Sequence, residues 1–182
     1  MTTRPISPED RTGYLAFGRQ KETEFVWEAA KYGLRVRINP EKEQDPKAPD
    51  LVVGEELAEL KWQGDPFFKV EEKYGLNPRF TVSFNAKDVR RYTKKFPTLD
   101  IYFWIQWTTF SRYGVEVDPL EGVWHAPFPS IIAAMERYSP PLHHYRNRTA
   151  DRWGNAQGSY LLDLRWFTEI EAVQTSLDLS DL

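Results

Sequence analysis

Two carboxylates that could hold a divalent metal and a lysine that could assist it lie within a twelve-residue stretch of the sequence. Asp50 precedes an apolar run, Leu51–Val53, and after a glycine turn the chain runs back through residues 57–62. This pattern predicts a β-hairpin. Glu59 and Lys61 are two residues apart, so they share one face of the returning strand. If the hairpin pairs around its turn, two carboxylates and an ammonium converge on one spot.

That combination has a chemical use in phosphodiester hydrolysis. Two carboxylate ligands, together with the Leu60 carbonyl, can hold Mg²⁺, and we expect Mn²⁺ to substitute. A bound metal activates water and neutralises phosphate charge, while Lys61 orients the attacking water and stabilises developing negative charge. Gln63 falls on the same face and is a further candidate catalytic residue. An ordinary surface hairpin with a same-face Glu/Lys pair fits this spacing equally well.

The element before the hairpin is a predicted helix over residues 18–32. Phe25 and Ala29 recur at helical spacing, and Gly33 is a typical helix terminator. Glu22 lies three residues before Phe25, so it projects from the inward face near the start of the helix. A metal site at the rim of a sheet would account for an acid in that place. The alternative is an acid favoured at a helix N-terminus by the macrodipole.

Pro49-Asp50 followed by Glu59-Leu60-Lys61 resembles the signature of the PD-(D/E)XK nucleases. Gly18-x-x-x-Glu22 before Gly33 is similar to the first helix of the archaeal Holliday-junction resolvases in the same superfamily. The resemblance implies an α/β (α+β) fold, with a mixed central sheet flanked by helices, and metal-dependent cleavage of nucleic acid. It also implies that Glu22 completes the metal site.

The strands and helices predicted around the hairpin occur in the order that this family requires. Residues 34–38 alternate in polarity and predict a first, half-buried strand. Residues 80–84 predict a short strand, followed by a helix over residues 86–96 that Asn85 caps. Residues 99–107 form a continuous apolar run, typical of a central strand covered on both sides.

Two stretches are candidate DNA-binding surfaces because they concentrate basic residues. The predicted helix carries Lys87, Arg90, Arg91, Lys94 and Lys95, which suit phosphate contacts; a solvated helix face is the alternative. A loop-like stretch further on carries Arg146, Arg148 and Arg152 among aromatic residues, and guanidinium groups suit phosphates and guanine edges. The neighbouring His143-His144 pair is a weaker candidate metal site, since nothing around it has ligand spacing.

The last third of the sequence adds elements to the predicted nuclease core. A hairpin is predicted from residues 113–117 and 122–125, a helix over residues 131–138 capped by Ser130, and a final strand over residues 160–167. Residues 169–182 form an acidic segment, which we expect to be flexible. Within it, residues 174–179 are similar to the peptide by which bacterial replication proteins bind the sliding clamp, with two apolar anchors.

Composition narrows the classes of protein that fit. The chain has 182 residues, a net charge of −3 and no cysteine, which excludes disulfides and thiolate metal sites. No apolar stretch is long enough to span a membrane and no signal peptide is evident, so a cytoplasmic location is expected. We expect one restriction-endonuclease-like domain over residues 1–168, with its core at about residues 13–110 and a C-terminal elaboration at about residues 111–168.

The sequence therefore predicts a Mg²⁺-dependent DNA endonuclease of the restriction, repair or phage type. A structure-specific junction resolvase and a non-catalytic nucleic-acid-binding module with the same fold are the alternatives. A homodimer is expected if the enzyme cuts both strands, because double-strand cleavage needs two sites.

Overall fold

A mixed six-stranded sheet organises the part of the chain that the computed structural model describes, residues 11–144 and 158–173. In spatial order its strands are β1 (Val36–Ile38), β2 (Leu51–Val53), β3 (Glu56–Gln63), β5 (Asp100–Gln106), β8 (Glu121–Pro127) and β11 (Thr168–Ile170). Neighbouring strands are antiparallel except β3 and β5, which are parallel. The predicted mixed central sheet flanked by helices is confirmed, and β5 is its buried central strand.

The remaining elements cover this sheet or extend from it. The helices are α1 (Arg11–Glu28), α2 (Val70–Tyr74), α3 (Ala86–Lys95) and α4 (Phe128–Tyr138), with 3₁₀ turns at Ala29–Tyr32, Pro40–Glu43 and Leu164–Trp166. A second sheet has the order β4 (Thr81–Asn85), β10 (Ser159–Asp163), β9 (Leu142–His143). The strands β6 (Ser111–Arg112) and β7 (Val115–Glu116) form a separate hairpin. Nowhere in residues 11–144 and 158–173 does a helix combine the length and hydropathy needed to cross a bilayer.

α1 packs on one face of the central sheet. Phe25 is fully buried in a cluster that also contains Leu51, Leu60 and Trp104. The helix begins at Arg11, earlier than the predicted start at residue 18. It continues as a 3₁₀ turn to Tyr32 and ends at Gly33, whose φ of 70° is the left-handed value that glycine adopts readily.

α3 and the second sheet cover the opposite face. Their main contact is an aromatic cluster in which Phe84, Tyr92, Phe103 and Phe128 lie within ring-contact distance. Asn85 caps α3 as predicted, since its Oδ1 accepts a hydrogen bond of 2.8 Å from the Lys87 N–H. β4 is also a strand as predicted, and it pairs with β10 in the second sheet.

The C-terminal third differs from the sequence prediction in how its strands pair. Val115–Glu116 pairs with Ser111–Arg112, whereas Glu121–Pro127 runs antiparallel to β5 in the central sheet. Buried Val123, Trp124 and Ala126 explain this choice, because they need the cover that a central position gives.

Three further predictions for this region are corrected. α4 begins at Phe128 and is preceded by Pro127, so Ser130 lies inside the helix and does not cap it. The predicted strand over residues 160–167 is instead β10 followed by a 3₁₀ turn. The segment expected to be flexible from residue 169 starts within β11, which pairs with β8, and the Val173 N–H bonds to the Lys31 carbonyl at 2.7 Å.

Candidate active site

The predicted hairpin exists and places Asp50 beside the returning strand. β2 and β3 pair with Leu51 opposite Ala58 and Val53 opposite Glu56. Gly54 occupies the turn with a φ of 62°, in the left-handed region. Asp50 comes directly before β2, and its Oδ2 accepts a hydrogen bond of 3.2 Å from the Leu60 N–H.

β3 extends well beyond its partner in the hairpin. β2 has three residues and β3 has eight, so residues 59–63 have no β2 partner along this edge. The Leu60 N–H faces the open edge, and the carbonyl of the same residue faces the same side of an extended strand. A cleft of about 380 Å³ lies here, between Gly18 and Glu22 of α1 and residues 60–63 of β3.

Glu59 is the most deeply buried acid of the site, with 5% of the residue exposed. Its Oε1 accepts hydrogen bonds from Lys61 Nζ at 2.9 Å and Arg91 at 3.4 Å. Its Oε2 is buried and has no hydrogen-bond partner among the described residues. Burial raises the pKa of Glu59, and the nearby charge of Asp50 raises it further against the effect of Lys61. Burial likewise raises the pKa of Asp50.

Lys61 is held by two acids as a permanent ammonium. Its Nζ donates to Glu59 at 2.9 Å and to Asp88 at 2.6 Å, and it lies 3.4 Å from the Tyr92 hydroxyl. Burial by itself would lower the pKa of Lys61, but Glu59, Tyr92 and Asp88 outweigh it, so the pKa is raised well above its ordinary value of 10.5. Lys61 therefore acts here as a hydrogen-bond donor and a fixed positive charge, not as a proton acceptor.

Glu22 connects to the hairpin through a lysine that sequence reasoning missed. Lys42 Nζ lies 2.6 Å from Glu22 Oε1 and 2.5 Å from Asp50 Oδ1. The 3₁₀ turn Pro40–Glu43 positions it, and Asn39 fixes that turn by accepting from the Glu41 N–H at 3.1 Å and donating to the Pro49 carbonyl at 2.9 Å. In the sequence, Lys42 stands in a charged stretch with no feature to separate it from a solvated loop.

Asp88 is the other functional candidate that sequence reasoning did not select. Its carboxylate faces Lys61 and also lies 3.3 Å from Arg91. The ammonium and guanidinium hold the pKa of Asp88 below its ordinary value, although burial opposes them. The sequence feature that could have identified Asp88 is its position: it lies in the first turn of α3 and is the only acid of that helix.

The predicted DNA-contact residues of α3 divide into two groups. Lys87, Arg90 and Lys94 are exposed on the outer face. Arg91 instead turns inward, where its Nη2 lies 2.6 Å from the Tyr92 hydroxyl and 3.4 Å from Glu59. Arg146, Arg148, Arg152 and residues 174–179 lie outside the described residues.

Gln63 lines the cleft but bonds to backbone groups near the end of β3. Its Oε1 accepts from the Ser83 N–H at 3.2 Å, and its Nε2 donates to the Asp65 carbonyl at 3.2 Å. These contacts hold β4 and the segment after β3 in place. The contacts that the structure shows for Gln63 are therefore structural, and its catalytic role stays a prediction.

The oxygen donors of the site suit a hard cation, although they do not form a compact cage. Among the described residues, no three Asp, Glu or His side chains are grouped closely enough to hold a metal by themselves. Mg²⁺ commonly uses one or two carboxylates and retains several waters. The unpartnered Oε2 of Glu59 and the Asp50 carboxylate fit that smaller requirement.

Comparisons with known proteins return one match. No protein-family profile matches the sequence, and no curated protein is significantly similar to it. Among solved structures, the chain is similar to D212, a nuclease from a fusselovirus, with 11% sequence identity and a TM-score of 0.38; the match covers 93% of this chain and 90% of that one.

Proposed function

We propose that this protein is a divalent-metal-dependent nuclease of the PD-(D/E)XK type that hydrolyses phosphodiester bonds in DNA. The observation that carries the proposal is the buried group formed by Asp50, Glu59 and Lys61 beside an open strand edge. A buried carboxylate oxygen without a partner is costly to fold around, so its presence in Glu59 favours a functional reason. Both raised carboxyl pKa values point the same way.

The residues that would hold the metal are Asp50 and Glu59, with the Leu60 carbonyl, and Glu22 would act through a bound water. When bound, Mg²⁺ or Mn²⁺ would supply a more acidic water and neutralise charge on the phosphate. The cleft between α1 and β3 is lined by Glu22, Leu60 and Lys61, and we expect the scissile phosphate to enter through it.

Lys61 would position the attacking water and stabilise negative charge on the phosphate oxygens. Asp88 and Glu59 hold its ammonium from two sides, at 2.6 and 2.9 Å, so its place does not depend on substrate. Such fixed charges lower the cost of reorganisation when the transition state forms.

DNA would reach this site along α3. Lys87, Arg90 and Lys94 are on its exposed face and would contact phosphates without reading sequence. Arg91 has a different role, since it supports Glu59 and Tyr92 from inside. The homodimer and the sliding-clamp contact through residues 174–179 stay predictions.

A nicking assay on supercoiled plasmid tests the proposal. We expect cleavage with Mg²⁺ or Mn²⁺, no cleavage in EDTA, and loss of at least about 100-fold in rate for Asp50→Ala and Lys61→Ala. Glu55→Ala and Lys47→Ala, exposed residues close by, are matched controls that should cleave normally. Cleavage that survives both site variants would overturn the assignment. Linear, flap and four-way-junction substrates would then separate an endonuclease from a junction resolvase.

A non-catalytic nucleic-acid-binding module is the second candidate, and one observation favours it. Lys42, Lys61 and Arg91 already neutralise most of the charge of Glu22, Asp50, Glu59 and Asp88. An ion cluster of this kind can be purely structural. Calorimetric titration with Mn²⁺ distinguishes the two, because a structural cluster binds no divalent cation.

A further inference from the structure

A second concave site lies beyond the C-terminal end of β3 and is built from aromatic and basic side chains. It is a cavity of about 230 Å³ between the segment that contains α2, the β6–β7 turn and the end of β9. The aromatic and basic side chains that line it include Phe67, Phe68, Lys69, Lys73, Tyr74, Arg112, Tyr113 and His143. A small pocket lined by aromatic and basic side chains suits a ligand that combines a planar ring with a negatively charged group.

The aromatic side chains are fixed relative to one another. The Tyr74 hydroxyl hydrogen-bonds to His143 Nδ1 at 3.0 Å, and the two rings meet edge to face with centroids 6.0 Å apart. The ring centroid of Phe67 lies 6.3 Å from that of the same imidazole. Burial and the nearby charges of Lys73 and His144 lower the pKa of His143, which leaves a neutral ring at pH 7.

Neither the exposure of Tyr113 nor its backbone conformation is explained by a contribution to folding. The residue is 70% exposed, and its φ of 57° lies in the left-handed region. Together with Gly114, at φ 76°, it forms the two-residue turn of the β6–β7 hairpin. Asn or Asp usually occupies the first position of such a turn. A tyrosine there carries backbone strain and gains no burial.

The cations of the pocket are close to its rings. Lys69 Nζ lies 4.7 Å from the centroid of Tyr113, and the Arg112 guanidinium lies 5.6 Å from that of Phe68. Lys73 lines the same cavity. Asp65, 3.7 Å from Arg112, offsets part of this positive charge. The pocket rim is thus positively charged and suits a phosphate beside a stacked ring.

The pocket is connected to the candidate active site by β3 itself. Gln63 continues the face that carries Glu59 and Lys61, and it donates to the Asp65 carbonyl at 3.2 Å. Pro66 and Phe67 then line the pocket. Pro66 is five positions after Lys61, which limits the distance between their Cα atoms to about 18 Å. A strand leaving the site would meet the pocket within a few nucleotides.

We propose that this pocket binds one unpaired nucleotide of a DNA strand, with the base against Tyr113 and Tyr74 and the phosphate beside Lys69 and Lys73. The proposal rests on the proposed function only for the identity of the strand as substrate. Binding itself needs no metal and no cleavage. It gives the protein a preference for DNA with a single-stranded segment over fully paired duplex.

Fluorescence anisotropy in EDTA tests this, with labelled dT12 and a 12-base-pair duplex as probes. Wild-type protein should bind dT12 more tightly than the duplex, and Tyr113→Ala should weaken dT12 binding about tenfold while leaving duplex binding within about twofold. Trp27→Ala, which removes a 78% exposed aromatic residue from α1, is the matched control and should change neither. Lys69→Ala should weaken dT12 binding and reduce its salt dependence by about one phosphate contact.

Two outcomes would overturn the proposal: equal affinity of wild type for both probes, or dT12 binding by Tyr113→Ala that equals wild type. Because Tyr113 is exposed, its substitution does not threaten folding. The measurement is repeated with Asp50→Ala, which lacks the proposed cleavage function. If Tyr113→Ala weakens dT12 binding in that background and wild type does not cleave DNA, this proposal stands and the nuclease assignment is removed. If wild type cleaves DNA and Tyr113→Ala does not change dT12 binding, the nuclease assignment stands and this proposal is overturned.

Discussion

The ammonium of Lys42 lies against the carboxylate of Asp50, with Nζ 2.5 Å from Oδ1. Because the same ammonium also contacts Glu22 at 2.6 Å, it joins two of the proposed metal ligands. Burial opposes the charge of Lys42, but the two carboxylates raise its pKa, so it stays protonated at neutral pH. The proposed site therefore has a built-in cation that competes with any divalent ion for the same oxygens.

Replacing this lysine should strengthen metal binding. In Lys42→Met the positive charge next to Asp50 is removed while much of the side-chain volume is kept, and we expect Mn²⁺ affinity to rise about tenfold. Isothermal titration calorimetry measures this directly. Lys31→Met is the control, since Lys31 pairs with Glu28 at the far end of α1. Unchanged or weaker binding would mean that Lys42 supports the metal-bound state instead.

Asp88 should matter for the rate of cleavage more than for metal binding. Asp88→Asn removes the charge that holds Lys61 Nζ at 2.6 Å, so the ammonium loses part of its positioning. We expect single-turnover cleavage to slow about 10- to 100-fold, as for other supporting residues of metal sites. Mn²⁺ affinity should change less than about threefold. Glu72→Gln, on the exposed face of α2, provides a control for the loss of one acid. A normal rate in Asp88→Asn would show that Glu59 alone positions Lys61.

The charged side chain of Glu59 should lower the free energy of unfolding at neutral pH. A raised carboxyl pKa means that the folded state binds a proton more readily than the unfolded chain, so stability increases as pH falls from 7 toward the ordinary value of 4.5. Glu59→Gln mimics the protonated form and should stabilise the metal-free protein by about 1 kcal/mol at pH 7. Its stability should also depend less on pH between 7 and 5.

Urea unfolding in EDTA at these two pH values checks this prediction. Glu56→Gln, an exposed position on the same strand, is the matched control and should behave like wild type. The opposing shift of Asp88 acts near and below its ordinary value of 3.8, outside this range. If Glu59→Gln is less stable than wild type at pH 7, pairing with Lys61 and Arg91 outweighs the burial of the charge.

Basic residues of α3 should separate into two functional classes. Lys94→Ala removes an exposed charge, so it should weaken duplex binding and lower the salt slope by about one. Arg91→Ala removes a guanidinium whose Nη2 lies 2.6 Å from the Tyr92 hydroxyl, so it should slow cleavage with little effect on DNA affinity. Anisotropy at several salt concentrations and single-turnover rates distinguish the two. The reverse pattern would place Arg91 in the DNA interface.

The sequence predicted the hairpin, the central strand and the helix that carries Glu22 because each has a short-range pattern. Leu51–Val53, the turn at Gly54 and the Glu59/Lys61 spacing are local, and the register of β2 on β3 follows from them. Residues 99–107 were identifiable because both faces of β5 are buried.

Strand pairing in the last third could not be predicted in the same way. β8 and β11 enter the central sheet through contacts with β5 and with each other, and nothing in their own sequences specifies those partners. The same reasoning applies to Lys42 and Asp88. Each reaches the site from a loop or helix more than ten residues away from its partner in the chain, Glu22 for Lys42 and Lys61 for Asp88.

The unequal lengths of β2 and β3 leave part of one edge of β3 without a strand partner. If β2 were as long as β3, its backbone would pair with those N–H and C=O groups of residues 59–63 that now face the open edge, and it would close the cleft beside α1. Extending β2 by a few residues should accordingly leave the fold intact but close the cleft beside β3. The proposed metal site in this chain thus depends on the incomplete backbone pairing of β3 along one edge.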